Sequence, residues 1–345
     1  MRRRDCLTLM AGATMVPFGA ASHGSTDWQA WKARFLSAEG RVIDALQDDA
    51  SHSEGQGYGM LLAALEGDAP AFTAMHAWTE RHLAVRRDPL LAWRWLPRAD
   101  PHVQDYKNAS DGDLFYAWAL LEGAMRFDVP AYSDRAEAIA GALVATCIRP
   151  DPRNEAARLF LPGAEDFGDA QRRVVNPSYI MPRAMEALAA AFNLPELLRA
   201  AADGVALIAS LAGEGLVPDW VEIDGAGIRP ARDFAPHSGY DALRVPLFMV
   251  WAGRGNHPAV ERAAAAFRRF AGQETATVLS LDGSVLHRSH FAGYATLAAL
   301  ATCSVHGGAR LPRFDAIQPY YPATLQLLAL HAARTEAQHC LPSSR

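Results

Sequence analysis

The chain has 345 residues, 50% hydrophobic and 21% charged, so it carries enough apolar side chains to offset its ordering entropy and is not a disordered polymer. No apolar run reaches the ~20 residues that cross a bilayer, which excludes a membrane span. The net charge of −5 argues against nucleic acid as a partner, since that calls for a basic face.

The first element is an address. Arg2, Arg3 and Arg4 lead a short apolar stretch from Leu7 that ends in small residues at Ala20 and Ala21. This is the order of a signal peptide over residues 1–21, too short to be a stable span. Arg3-Arg4-Asp5-Cys6-Leu7 also resembles a twin-arginine signal. Cleavage near Ala21 removes three arginines and one aspartate, leaving a more acidic mature chain at residues 22–345. A periplasmic or secreted protein is expected.

From there the apolar residues recur at helical spacing. Helices are predicted over Asp27–Leu46, Tyr58–Leu65, Pro70–Leu83, Asp113–Phe127, Pro130–Cys147, Tyr179–Phe192 and Pro195–Ala212. Four more follow over Tyr240–Ala252, Pro258–Gly272, His290–Cys303 and Pro322–Ala333. Pro70, Pro130, Pro195 and Pro258 stand near first turns, where the missing N–H costs nothing. Gly215–Ile223 and Thr277–Leu286 are candidates for short hairpins. No linker divides the chain, so one all-α domain is expected. Six antiparallel helical hairpins closed into a ring make an (α/α)6 barrel, with six inner and six outer helices. Such a ring gathers the N-termini of its inner helices around one mouth, where their dipoles favour carboxylates.

Three acidic clusters fall at helix starts. Glu54 stands in S-E-G-Q-G-Y-G-M, Asp111 and Asp113 in A-S-D-G-D-L-F-Y, and Asp241 in H-S-G-Y-D-A-L-R-V-P with Arg244 three residues on. Each has a plain structural reading as a helix cap or an i,i+3 ion pair. The D-G-D spacing suits calcium, but the remaining ligands of a calcium-binding loop are absent. Together, a neutral acid and an ionised base on opposite sides of a bond make glycoside hydrolysis. Trp93, Trp95, Tyr106 and Trp220, in loop-like sequence, are candidates to stack on sugar rings. No Cys-x-x-Cys pair suggests a structural zinc. Once Cys6 leaves with the signal, Cys147, Cys303 and Cys340 allow at most one disulfide, in any of three pairings.

These motifs, with N-P-S-Y at Asn176–Tyr179, E-G-R-V-I-D at Glu39–Asp44 and P-D-W at Pro218–Trp220, resemble glycoside hydrolase family 8. The resemblance runs over roughly residues 27–330 and is strongest to members associated with bacterial cellulose synthesis. It implies an (α/α)6 barrel and an inverting endo-β-1,4-glucanase without metal or organic cofactor. Glu54 matches the general acid, Asp241 the general base, and Asp111 a carboxylate on the sugar at the cleavage point. Tyr179 matches a tyrosine near the attacking water, and Arg244 an arginine that orients the base. Asp113 and Tyr240 are supporting residues, and Trp95 and Trp220 aromatic contacts. The resemblance also implies a β-1,4-glucan substrate, a monomer, and a link to a cellulose synthase complex. Two alternatives stay open: a family 8 hydrolase of xylan, chitosan or mixed-linkage glucan, and an inactive glycan-binding scaffold. The acid role requires Glu54 to be raised in pKa, and the base role requires Asp241 to be ionised.

Overall fold

A computed structural model describes residues 24–342. The expected signal peptide lies outside the described residues. Eleven α-helices are present among them: α1 (Thr26–Phe35), α2 (Ser53–Glu66), α3 (Ala69–His82), α4 (Ser110–Phe127), α5 (Pro130–Cys147), α6 (Pro182–Phe192), α7 (Pro195–Glu214), α8 (Arg244–Trp251), α9 (Pro258–Arg269), α10 (Ala292–His306) and α11 (Tyr320–Glu336). A proline opens α3, α5, α6, α7 and α9 in its first turn, and left-handed residues stop α2, α4 and α6 at Gly67, Asp128 and Asn193.

The helices form two layers. In the inner layer α2 packs on α4, α4 on α6, α6 on α8, α8 on α10, α10 on α11 and α11 back on α2. The outer helices α3, α5, α7 and α9 each pack on the inner helix before them in the chain, and α1 packs on α11. Burial follows the layers at the extremes: every residue of inner α8 is buried, whereas outer α9 buries only Ala259, Val260 and Ala264. The result is the expected (α/α)6 ring with one correction. Among the described residues there are five outer helices, not six, because the chain between α10 and α11 runs without a helix. Gly307 and Gly308 there take positive φ, and Pro312 follows.

Other boundaries also move. The first predicted helix ends at Phe35, and residues 36–50 instead form β-bridges and a short 3-10 turn at Ala45–Gln47. The predicted Thr277–Leu286 hairpin is present within residues 275–289, whereas Gly215–Ile223 is not one: the hairpin there pairs Val221–Asp224 with Gly227–Pro230, and the β content is larger than expected. Antiparallel hairpins join Ile148–Asp151 to Asn154–Phe160 and Thr275–Ser280 to Val285–Ser289, and Arg172–Val175 pairs with Val221–Asp224. Cys303 and Cys340 are joined in a disulfide, and Cys147 is a buried free thiol.

The contact that matters most for the site is between the first turns of α2 and α4. The alternating glycines do not bend the entry into α2; they lie inside it, and Gly57 lets α4 come close while Gly55 and Gly59 face Tyr320 and Met75. A Cβ on Gly57 would stand 2.9 Å from the Tyr116 amide nitrogen, and one on Gly112 only 2.1 Å from Ser53 Oγ and 2.6 Å from the Glu54 nitrogen. Next to this approach Tyr58 meets Phe115 edge-on at 4.6 Å between ring centroids, an arrangement worth about 1 kcal/mol beyond burial. Gly112→Ala must therefore push α2 and α4 apart. It is expected to destabilise the protein by about 2–3 kcal/mol, which lowers Tm by about 5 °C in differential scanning calorimetry. An unchanged Tm would contradict this packing.

Candidate active site

The N-termini of the six inner helices surround a cavity of about 600 Å3. Glu54 sits in the first turn of α2, and Asp111 in the first turn of α4. Tyr179 precedes α6, Asp241 precedes α8, Phe291 precedes α10, and Tyr320 and Tyr321 open α11. All of these line the cavity, as do Arg244, Tyr240, Trp93 and His52.

At its floor Arg244 holds three carboxyl groups. Its Nη1 donates to Glu54 Oε2 at 2.7 Å and to the Tyr58 hydroxyl at 3.2 Å, and reaches Asp111 Oδ2 at 3.4 Å. Its Nη2 donates to Asp241 Oδ1 and to Ser178 Oγ, both at 2.7 Å. Ser178 Oγ donates to Asn176 Oδ1 at 2.8 Å, and Asn176 Nδ2 donates to Asp241 Oδ2 at 2.9 Å. That closes a ring of four side chains and fixes both oxygens of Asp241. Arg244 and Asp111 are each 2% exposed, while Glu54 is 24% and Asp241 30% exposed. Two carboxyl groups thus face the open cavity, and the third lies beneath them. The planar guanidinium thus bridges Glu54 and Asp241, each bonded to a different terminal nitrogen.

Arg244 is the one Arg or Lys lining the cavity among the described residues. One cation does not compensate three buried carboxylates, so the cluster retains a proton. Glu54 and Asp111 both approach the same Arg244 nitrogen, so their charges oppose each other at close range. Burial and the neighbouring Glu54 charge push Asp111 well above the usual carboxylate range. Burial also acts to raise Glu54, but Arg244 outweighs it and holds Glu54 below its ordinary value. This corrects the expectation that Glu54 itself is raised in the open site: it has the short contact to Arg244, and Asp111 has the long one. Asp241 also differs from expectation. It lies in the turn before α8 rather than on the helix, and burial raises it despite Arg244.

Several anticipated contacts fall elsewhere. Trp95 does not line the cavity; its ring packs on Trp78, His82 and His102, with Arg41 5.0 Å from its centre. Its neighbour Trp93 does line it, with His52 stacked at 5.9 Å and Arg94 at 4.3 Å from the ring. Trp220 also lies behind the wall, stacked with Phe234 at 4.1 Å and against Tyr179 at 6.0 Å, so it supports Tyr179. Tyr106 is exposed and off the cavity. Asp113 is buried beside it, accepting from the Leu91 amide and from Asn108; burial pushes it up to about 7. Tyr240 lines the mouth, its hydroxyl 3.1 Å from His287 Nδ1.

His52, Ser178, Tyr320 and Tyr321 were not anticipated. Tyr320-Tyr321 at a helix start was a visible signal, hidden by placing that start at Pro322. His52, two residues before Glu54, is kept below its ordinary pKa by burial and is therefore neutral. One group of Cys, His, Asp or Glu side chains among the described residues is close enough to hold a cation: Cys303, His339 and Cys340. It lies off the cavity, and its two sulfurs are joined in the disulfide.

Residues 2–335 match the sequence model of Glycosyl hydrolases family 8. A probable endoglucanase of Novacetimonas hansenii is 35% identical over 320 residues, covering 90% of each chain. The crystal structure of the endo-β-1,4-glucanase CMCax from Acetobacter xylinum superimposes with a TM-score of 0.80 at 30% identity, over 92% of this chain and 100% of that one. A family 8 endo-β-1,4-glucanase from an Achatina fulica gut metagenomic library gives 0.81 at 29% identity, over 90% and 98%.

Arg244 is the compensating charge of the cluster, so Arg244→Met leaves buried carboxyl groups that resist ionisation. Urea unfolding at pH 7 is expected to show a loss of about 3 kcal/mol. Carboxyl groups with raised folded pKa are most stabilising when protonated, so the deficit shrinks toward pH 4 and grows as pH rises. A deficit independent of pH would contradict this assignment.

Proposed function

We propose that this chain, which belongs to glycosyl hydrolase family 8, is an endo-β-1,4-glucanase that cleaves with inversion. The observation that carries the reading is the pair of half-buried carboxyl groups facing the cavity, Glu54 and Asp241, bridged by one buried guanidinium. An inverting site needs its acid and base about 6.5–9.5 Å apart, to leave room for a water between base and sugar. The single-arginine bridge is compatible with that spacing. The names of the relatives support β-1,4-glucan as substrate, and the aromatic walls suit stacked pyranose rings.

In this account Glu54 gives its proton to the glycosidic oxygen as the C1–O bond breaks. Asp241 takes a proton from water as the water oxygen bonds to C1. Asp111 stores the acid proton in the open site and passes it to Glu54 when substrate arrives. Tyr179 lies 5.7 Å from the Arg244 guanidinium carbon and faces the same space, which fits a contact to the water or the sugar ring. The resemblance of residues 1–21 to a signal peptide supports export to the periplasm or beyond. The resemblance to members associated with cellulose synthesis supports a role there, acting on glucan beside a synthase complex as a monomeric domain over residues 22–345.

Reducing-sugar release from carboxymethylcellulose, set against xylan and chitosan, tests the substrate. β-1,4-Glucan is expected to be cleaved fastest; faster xylan or chitosan cleavage would overturn that choice. Asp241→Asn should lower kcat by at least about 10³-fold while cellooligosaccharides still bind; retained turnover rejects Asp241 as base. Asp111→Asn removes the stored proton and leaves Glu54 under Arg244. The alkaline limb of kcat/KM should then move down by about one pH unit. An unmoved limb would remove Asp111 from the proton path.

A further inference from the structure

Asp241 is carried by the turn Gly239–Leu243, and that turn is gripped by a side chain from elsewhere in the chain. Asp219 is 5% exposed and does not line the cavity. Its Oδ1 accepts from two backbone amides, Gly239 at 2.7 Å and Ala242 at 2.8 Å, which flank Asp241. Its Oδ2 lies 3.0 Å from His237 Nε2, and its own amide donates to the His237 carbonyl at 2.9 Å. These contacts all fall on residues 237–242, the stretch that delivers Asp241. Gly239 is shaped to the same purpose: a Cβ there would stand 2.8 Å from Asp219 Oδ2 and 2.9 Å from the His237 ring.

We infer that Asp219 is a positioning residue for hydrolysis, whose carboxylate clamps the Gly239–Ala242 turn and so aims Asp241 at the attacking water. This rests on Asp241 being the base. A carboxylate has lone pairs enough for three N–H donors, and charge-assisted bonds to backbone amides are among the stronger ones available. Asn176 and Arg244 fix the Asp241 side chain, but they do not fix the backbone that carries it. The Tyr321 hydroxyl holds the Tyr240 carbonyl at 2.8 Å, but without the clamp the amide side of the turn can shift, and misplacement by about 1 Å costs a catalytic group about 10²-fold. Because Asp219 does not reach the cavity, substrate binding is left intact.

The test measures kcat and KM on cellohexaose for Asp219→Ala, Asp219→Asn, Gly239→Ala and Asp241→Asn, with Tm for each. Asp219→Ala is expected to lose about 10²-fold in kcat with KM within about twofold of the parent. Asn keeps an acceptor oxygen for both amides, and its NH2 can donate to His237 Nε2 in the other ring tautomer, so Asp219→Asn should recover most of kcat. Gly239→Ala leaves Asp219 in place but forces it back, and should lose kcat like Asp219→Ala. If Asp219→Ala does not fold, the Asn and Gly239 variants decide. A parent-like kcat in Asp219→Ala or Gly239→Ala overturns the clamp, as does an Asn variant as slow as the Ala variant. If Asp241→Asn is inactive and Asp219→Ala is not impaired, the clamp alone fails; an active Asp241→Asn removes the base reading itself.

Discussion

One buried guanidinium organises the site. Arg244 enters from the first turn of α8, yet its two terminal nitrogens bond carboxylates delivered by α2, by the N-terminus of α4 and by its own preceding turn. Burying a cation is costly unless it is paired, and here the pairing is shared among groups that meet only if the ring closes. Fold and chemistry therefore depend on the same contact. The geometry also sets the charge balance: three carboxyl groups meet one arginine, and burial beside Glu54 pushes Asp111 well above the usual carboxylate range.

The second constraint is close packing. Arg244 reaches Glu54 and Asp111 together only because α2 and α4 approach at their first turns, and that approach needs Gly57 and Gly112. A side chain at either point would separate Glu54 from Asp111. The same logic recurs at Gly239, where the absence of a Cβ admits Asp219 and His237 beneath the turn of Asp241. Small residues here shape distances between charged groups rather than supply flexibility.

Much of this was legible in the sequence. The ring followed from counting helical segments, and the prolines marked true first turns. Glu54, Asp111, Asp241 and Arg244 stood out because acidic residues at helix starts fell into ordered motifs. Other features depend on tertiary contacts that no local pattern carries. The loop after α10 was uncertain because glycine and proline end a helix without saying whether another follows. Trp93 and Trp95 are chemically alike, and only the fold turns one toward the cavity and the other onto Trp78. The order of the Glu54 and Asp111 pKa values turns on burial, Asp111 being 2% exposed and Glu54 24%, and then on which of them lies nearer Arg244. Asp219 was visible within P-D-W, but its partners are backbone amides twenty residues away or more.

The central claim is that Glu54 and Asp241 act on opposite sides of the scissile bond, with water between base and sugar. The anomeric form of the first sugar released tests this most directly, read by proton NMR during the opening turnovers on a cellooligosaccharide. The account predicts the α-anomer at the new reducing end, appearing before mutarotation. Initial release of the β-anomer would mean retention through a covalent intermediate and would contradict the roles assigned to both carboxyl groups.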